Sequence, residues 1–183
     1  MKTNSEDFEP ISFEAEIAQI EDFAIIRIPK SESSKLSSRG IVMAEGTING
    51  FKFQTELEPD GKGSHFLPLD KAMLKGIKAK IGDSVKLSFE PSKQWPEPEV
   101  PEDLMKALKE TPDAYTTWKD ITPMARWDWI RWIRSTKNPE TRQKRIEVTF
   151  SKFKKGLRRP CCFNRSSCTI PEISKSGVLI GAN

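Results

Sequence analysis

Thr122–Arg165 reads TPMARWDWIRWIRSTKNPETRQKRIEVTFSKFKKGLRRPCCFNR, and its punctuation decides the architecture of the C-terminal half. Thr122-Pro123 is an N-cap residue followed by a proline at the first helical position, where a missing N–H costs nothing. Asn138-Pro139-Glu140 repeats the signal, with the acid in the first turn, where it suits the helix dipole. Two helices are therefore expected, one ending near Ser135 and one near Lys155, with Gly156 as the C-cap candidate. In the first, Met124, Trp127, Ile130 and Ile133 recur at three- and four-residue spacing, and Trp129 and Trp132 widen the face. In the second, Ile146, Phe150 and Phe153 form the stripe, and Glu140–Lys144 has the spacing of a helical ion pair.

The same stretch concentrates positive charge. Residues 126–165 hold 13 Lys and Arg against 3 acids, whereas residues 1–125 hold 16 against 22. A net charge of +4 thus conceals a basic segment joined to an acidic body. The asymmetry suits an anionic partner, whether nucleic acid, an anionic surface or a small anion, or else attraction between the two halves of the chain. Arg126, Arg131, Arg134, Lys137, Arg142, Arg145, Arg158 and Arg159 are the candidate ligand-binding cations. Such side chains neutralise phosphates, and interleaved Trp rings stack on bases or enter a membrane interface. The plainer alternative is a solvated face with the Trp residues in the core.

Upstream the period changes from helical to alternating. Phe13, Ala15 and Ile17 alternate with polar residues, and Phe23–Ile28 is a more continuously apolar run stopped by Pro29. Gly40–Ile48 and Phe51–Leu57 flank Asn49-Gly50, the pair suited to a type I′ hairpin turn. Gly46 inside the first of these suggests a bulge or bend. His65–Leu69 and Ser84–Glu90 are further short strands, separated by a helical turn that Asp70 can cap and Gly76 can close. Closely spaced short strands with turn signals predict a small antiparallel barrel. Between Pro91 and Pro101, PSKQWPEPEVP reads as an extended linker. Glu102–Lys109 and Thr111–Trp118 then begin the helical part. The expected fold is α+β: a barrel over 10–91, a Pro-rich linker over 92–101, a helical module over 102–160, and an irregular tail over 161–183.

Chemistry-bearing groups are few. Cys161, Cys162 and Cys168 have poor spacing for structural zinc, which favours four ligands in two close pairs, so no metal or cofactor is expected. Arg158, Arg159 and Arg165 could lower a thiolate pKa, which makes Cys161 and Cys162 candidate reactive thiols; three plain free thiols is the alternative. His65, the only histidine, has no recognisable catalytic companions in the sequence. Asp60-Gly61-Lys62-Gly63-Ser64 lacks the spacing of a phosphate-binding loop. No run of about 18 apolar residues predicts a membrane span. The polar, acidic N-terminus lacks the pattern of a secretory leader, so a cytoplasmic location is expected.

Two blocks carry a family resemblance. GTINGFKFQTEL, GSHFLPL and IGDSVKLSFE together resemble the domain-of-unknown-function family 1905. EVPEDLMKAL and WIRWIRSTKNPETRQKRIEVTFSKFKKGLRRP resemble the bacteriocin-protection, YdeI or OmpD-associated family. The resemblance implies a bacterial protein with a barrel followed by helices, and a link by name to tolerance of antimicrobial peptides or porin-related stress. It implies no reaction and no catalytic residues; Lys137, Glu140, Thr141, Arg142 and Arg145 are the positions matching the helical family's motif. The expected function is a non-enzymatic binding or stress-tolerance protein whose Arg- and Lys-rich helical face meets an anionic partner. The alternative is an enzyme or thiol sensor with an anionic-ligand site between barrel and helices. Monomer and dimer both stay open.

Overall fold

A computed structural model describes residues 8–183 and shows a closed antiparallel barrel followed by a helical module. The charged N-terminal residues 1–7, part of the leader argument above, lie outside the described residues. The barrel strands are β1 (Ile11–Ile20), β2 (Phe23–Arg27), β3 (Val42–Ile48), β4 (Phe51–Pro59), β5 (His65–Leu69) and β6 (Ser84–Pro91). Their order around the barrel is β1-β2-β5-β4-β3-β6. The long β1 closes it, pairing with β6 from Ile11↔Phe89 to Glu16↔Ser84 and then with β2 from Ile17↔Ile26 to Ile20↔Phe23. Two short helices, α1 (Lys30–Ser33) and α2 (Lys71–Ile77), are inserted between strands.

Strand alternation sorts the side chains. Ile11, Ile17, Ala24, Ile26, Leu57, Leu67, Leu87 and Phe89 point inward and form the barrel core. Asn49 and Gly50 take φ of 48° and 81°, as the expected two-residue hairpin requires. Gly46 marks a close approach of strands: a Cβ there would lie 2.1 Å from the Ser88 carbonyl oxygen, so β3 could not pair with β6 at that register with any larger residue. Asp70 caps α2 by accepting from the Met73 N–H at 2.7 Å. Gly76 does not close that helix; it lies within it beneath the Phe51 ring, and left-handed Lys78 is the C-cap.

The apolar run at β2 has a second explanation in the tail. Ile25, on the outer face of the barrel, is fully buried together with Ile20, Phe66, Cys168, Ile173 and Leu179. The tail expected to be loose instead covers this face. It forms a small hairpin of β7 (Ser174–Lys175) and β8 (Val178–Leu179). Leu179 N–H donates to the Asp60 carbonyl at 2.8 Å, and an Arg27 guanidinium N–H donates to the Ile180 carbonyl at 2.6 Å. Each large apolar side chain covered in this way contributes about 1.5–3 kcal/mol of burial.

The helical module comprises α3 (Glu102–Glu110), α4 (Pro112–Asp120), α5 (Pro123–Arg134) and α6 (Pro139–Lys154). Thr122 Oγ1 accepts from Ala125 N–H and Asn138 Oδ1 accepts from Thr141 N–H, so both expected caps form. The core gathers Leu104, Leu108, Trp118, Trp129, Ile133, Ile146 and Phe153. Trp129 packs edge-on against Phe153, with ring centroids 5.3 Å apart. The buried stripe of α5 is rotated from the one expected: Met124 is 37% exposed, while Asp128, Trp129 and Arg131 are enclosed. A sequence stripe built from apolar residues alone cannot count a buried arginine or aspartate. Glu140 and Lys144 are not among the ion pairs of the described residues; Gln143 donates instead to Glu147.

Candidate functional site

Most arginines of α5, α6 and the following loop meet carboxylates of the same chain. Arg126 pairs with Glu97 in the Pro-rich segment, and Trp127 Nε1–H donates to the Pro96 carbonyl at 3.0 Å, so that segment is tied to α5. Arg142 grips Asp103 at the start of α3 with two hydrogen bonds of 2.6 and 2.9 Å. Arg158 pairs with Asp120 at 2.7 Å, and Arg159 with the buried Asp128. Of the eight candidate cations, only Lys137 and Arg145 have no carboxylate partner among the described residues. Lys137 is solvent-exposed.

Arg131 and Arg134 form the junction between barrel and helices. Glu58 sits on the outward face of β4 yet has no exposed surface, because α5 lies over it. Arg131 Nε–H donates to its Oε2 at 3.3 Å, and Arg134 Nη2–H to its Oε1. Burial alone would raise the Glu58 carboxyl, but the Arg134 and Arg131 guanidiniums outweigh it and hold the group below its ordinary value. Its strand neighbour Glu56 moves the other way, raised by burial and then by the Glu58 charge. Arg131 is itself wholly enclosed: Nη2 donates to the carbonyls of Arg165 and Ser167, the ring of Phe163 stacks 5.4 Å away, and Nη1 has no partner.

Above this junction opens a cavity of about 420 Å³ between the end of α5, the middle of α6 and the tail. Trp132 and Phe163 supply aromatic wall, Ser135, Ser167 and Thr169 supply hydroxyls, and Arg145 supplies the charge. Thr169 Oγ1 also accepts from Arg134, which links the wall to the buried ion cluster. Arg145 is held from behind: its Nη1 donates to the Trp132 carbonyl at 2.6 Å and to Ser135 Oγ at 2.7 Å. Its guanidinium lies 5.5 Å from the centre of the Trp132 ring. Partial burial pulls its pKa down from the ordinary arginine value. No aspartate or glutamate lines the cavity among the described residues. Arg145 and Cys162 are the members of this wall that the sequence reading singled out. The hydroxyls come from α5 and from a tail without periodicity, and only a Ser/Thr-rich run around Cys168 hints at them.

Other candidates fall elsewhere. Cys161 and Cys162 are free and exposed, and Cys168 is free and buried. His65 has the companion that the sequence did not reveal. Its Nε2 faces the Gly40 carbonyl at 2.7 Å and must carry the proton, so Nδ1 accepts from the Ser33 hydroxyl at 2.7 Å. Burial lowers the His65 pKa, which keeps this tautomer neutral. Ser33 and His65 are both enclosed and border none of the cavities described, so the pair locks the 30–40 loop onto β5. Among the described residues no helix is long and apolar enough to cross a membrane.

A closed six-stranded barrel whose outer face seats a four-helix module through a buried arginine–glutamate cluster defines a two-domain α+β protein. Residues 13–89 match the family model described as Domain of unknown function (DUF1905), and residues 97–156 match that of the family Bacteriocin-protection, YdeI or OmpD-Associated. The two matches follow the order of barrel and helices, so the chain is a two-domain protein similar to both families. No curated protein matches the chain.

Proposed function

We propose that this is a cytoplasmic binding protein that holds a small anionic ligand, a carboxylate or phosphate compound, in the cavity beside Arg145. The observation that carries the reading is an arginine in a cavity wall, oriented by Ser135 and the Trp132 carbonyl, with no carboxylate to neutralise it. A partly buried cation whose charge no carboxylate balances is costly, and an anion entering with its own lone pairs offsets that cost. The hydroxyls of Ser167 and Thr169 supply further donors, and the faces of Trp132 and Phe163 suit a flat apolar part of the same ligand. Pairing of the other candidate arginines within the chain supports placing the anionic partner at this cavity rather than along the whole helical face.

The test is calorimetric titration of the purified protein with a panel of small carboxylates and phosphates. At least one compound binds, and Arg145→Gln weakens it by about ten- to a hundredfold, equivalent to losing roughly 1.5–3 kcal/mol of charged hydrogen bonding. Arg142→Gln, which removes a pair that does not line the cavity, leaves the affinity unchanged. Absence of binding across the panel, or equal binding by Arg145→Gln, overturns the reading.

A further inference from the structure

One group of nucleophiles has no evident structural duty. Cys161 and Cys162 are both exposed, and their Sγ atoms lie 2.7 Å apart. That is well inside ordinary contact for unbonded sulfurs, and about 0.7 Å beyond the disulfide bond length of roughly 2.0 Å. The two thiols therefore face the same point in space. They stand at the edge of a second cavity, about 230 Å³, with Trp129, Trp132, Val148 and Pro160 as its apolar walls and Lys152 also lining it. The hydrogen bond from Cys162, with Lys152 beside it, holds the Cys161 thiol below its ordinary value, whereas Cys162 is held above its own.

We propose that Cys161 and Cys162 form a vicinal-dithiol site that captures a trivalent arsenical bearing an apolar substituent. Soft thiolates select soft centres, and two convergent sulfurs chelate one such centre where a single thiol holds it weakly. The apolar cavity receives the substituent. The exchange balances without any oxidant or reductant. Cys161 sulfur bonds to arsenic of the hydrated arsenical and displaces one hydroxyl; Cys162 sulfur displaces the second. The two thiol protons leave with the two hydroxyls as water, and arsenic stays trivalent. Cys168, buried against the barrel, takes no part. The site shares Cys162 and Trp132 with the Arg145 cavity wall, but its chemistry does not rest on anion binding there.

The experiment uses the full chain, reduced and then freed of reductant, with phenylarsine oxide as probe. Intact mass shows a single phenylarsenic adduct with loss of two titratable thiols, and binding changes the fluorescence of Trp129 and Trp132. Ethanedithiol removes the adduct; glutathione, a monothiol, does not. Cys161→Ser and Cys162→Ser, both exposed and tolerant of change, each weaken binding by about a hundredfold through loss of the second, intramolecular bond. Cys168→Ser leaves it unchanged. Val148→Phe, which fills the cavity, weakens phenylarsine oxide by about tenfold and spares the smaller methylarsonous acid. Full binding by either single-serine variant, or an adduct mapped to Cys168, overturns the dithiol site. Equal effects of Val148→Phe on both probes overturn the role of the cavity.

Discussion

Glu58 and Arg131 are each wholly enclosed, and removing Glu58 leaves Arg131 as a buried, unmatched ion. Such a pair is a poor source of net stability when formed and a large penalty when broken, because desolvation has already been incurred. Glu58→Gln is expected to cost about 3–5 kcal/mol in urea unfolding, far more than Glu97→Gln, whose carboxylate is mostly solvent-exposed. Acid should act in the same direction. The Glu58 carboxyl titrates below its ordinary value of 4.5 in the folded protein, so its contribution is complete above that value and is lost as pH falls through the folded pKa. Glu56 has the opposite sign: raised when folded, it favours folding at low pH, and that benefit is lost as pH rises through its folded pKa. Thermal melts across pH should therefore show the wild type losing stability below pH 4.5 more steeply than Glu58→Gln.

At the scale of elements, α5 and α6 begin with the same device, a capping side chain followed by proline. Thr122 accepts from Ala125 N–H at 3.2 Å and Asn138 from Thr141 N–H at 3.0 Å. Replacing Asn138 with Ala should lower the unfolding free energy from urea titration by about 1 kcal/mol, and replacing it with Gly by only about a few tenths of a kcal/mol. The caps fix where each helix starts, and this decides which residues face the barrel. Starting α5 at Pro123 places Arg131 and Arg134 three residues apart on one face, over Glu58. Starting α6 at Pro139 brings Arg145 back against Trp132 and Ser135 near the end of α5.

For the whole molecule, the tail is what joins the two units beyond the ion cluster. It covers Ile25 and Phe66 of the barrel, offers the carbonyls of Arg165 and Ser167 to Arg131, and forms much of the wall facing Arg145. Leu179→Ala should destabilise the fold by about 2–5 kcal/mol, as expected for a large-to-small change at a buried site. A chain ending at residue 160 loses both sets of contacts at once. Its thermal transition should fall further than that of Leu179→Ala, and the barrel and helices should cease to melt together.

Much of the architecture can be read directly from the residues, because it rests on local chemistry. Asn49-Gly50 suits only a narrow set of turns, and Thr122-Pro123 and Asn138-Pro139 announce helix starts through groups within three residues. Alternation set the barrel faces for the same reason. Arg145 and Cys162 were legible as chemistry, but not as parts of one cavity wall. What local chemistry could not supply is the destination of the charges. Whether Arg131 faces water, nucleic acid or Glu58 depends on a partner 73 residues away, and its neighbours in sequence carry no trace of that choice. The tail has no period because its residues follow the shape of the barrel's outer face rather than a repeat of their own. Among the described residues Arg126, Arg131, Arg134, Arg142 and Arg158 of the basic segment pair with acids of the body, and Arg159 and Arg165 with Asp128 of their own segment: folding pairs opposite charges only where geometry brings them together, and it leaves Arg145 in the cavity wall without a carboxylate.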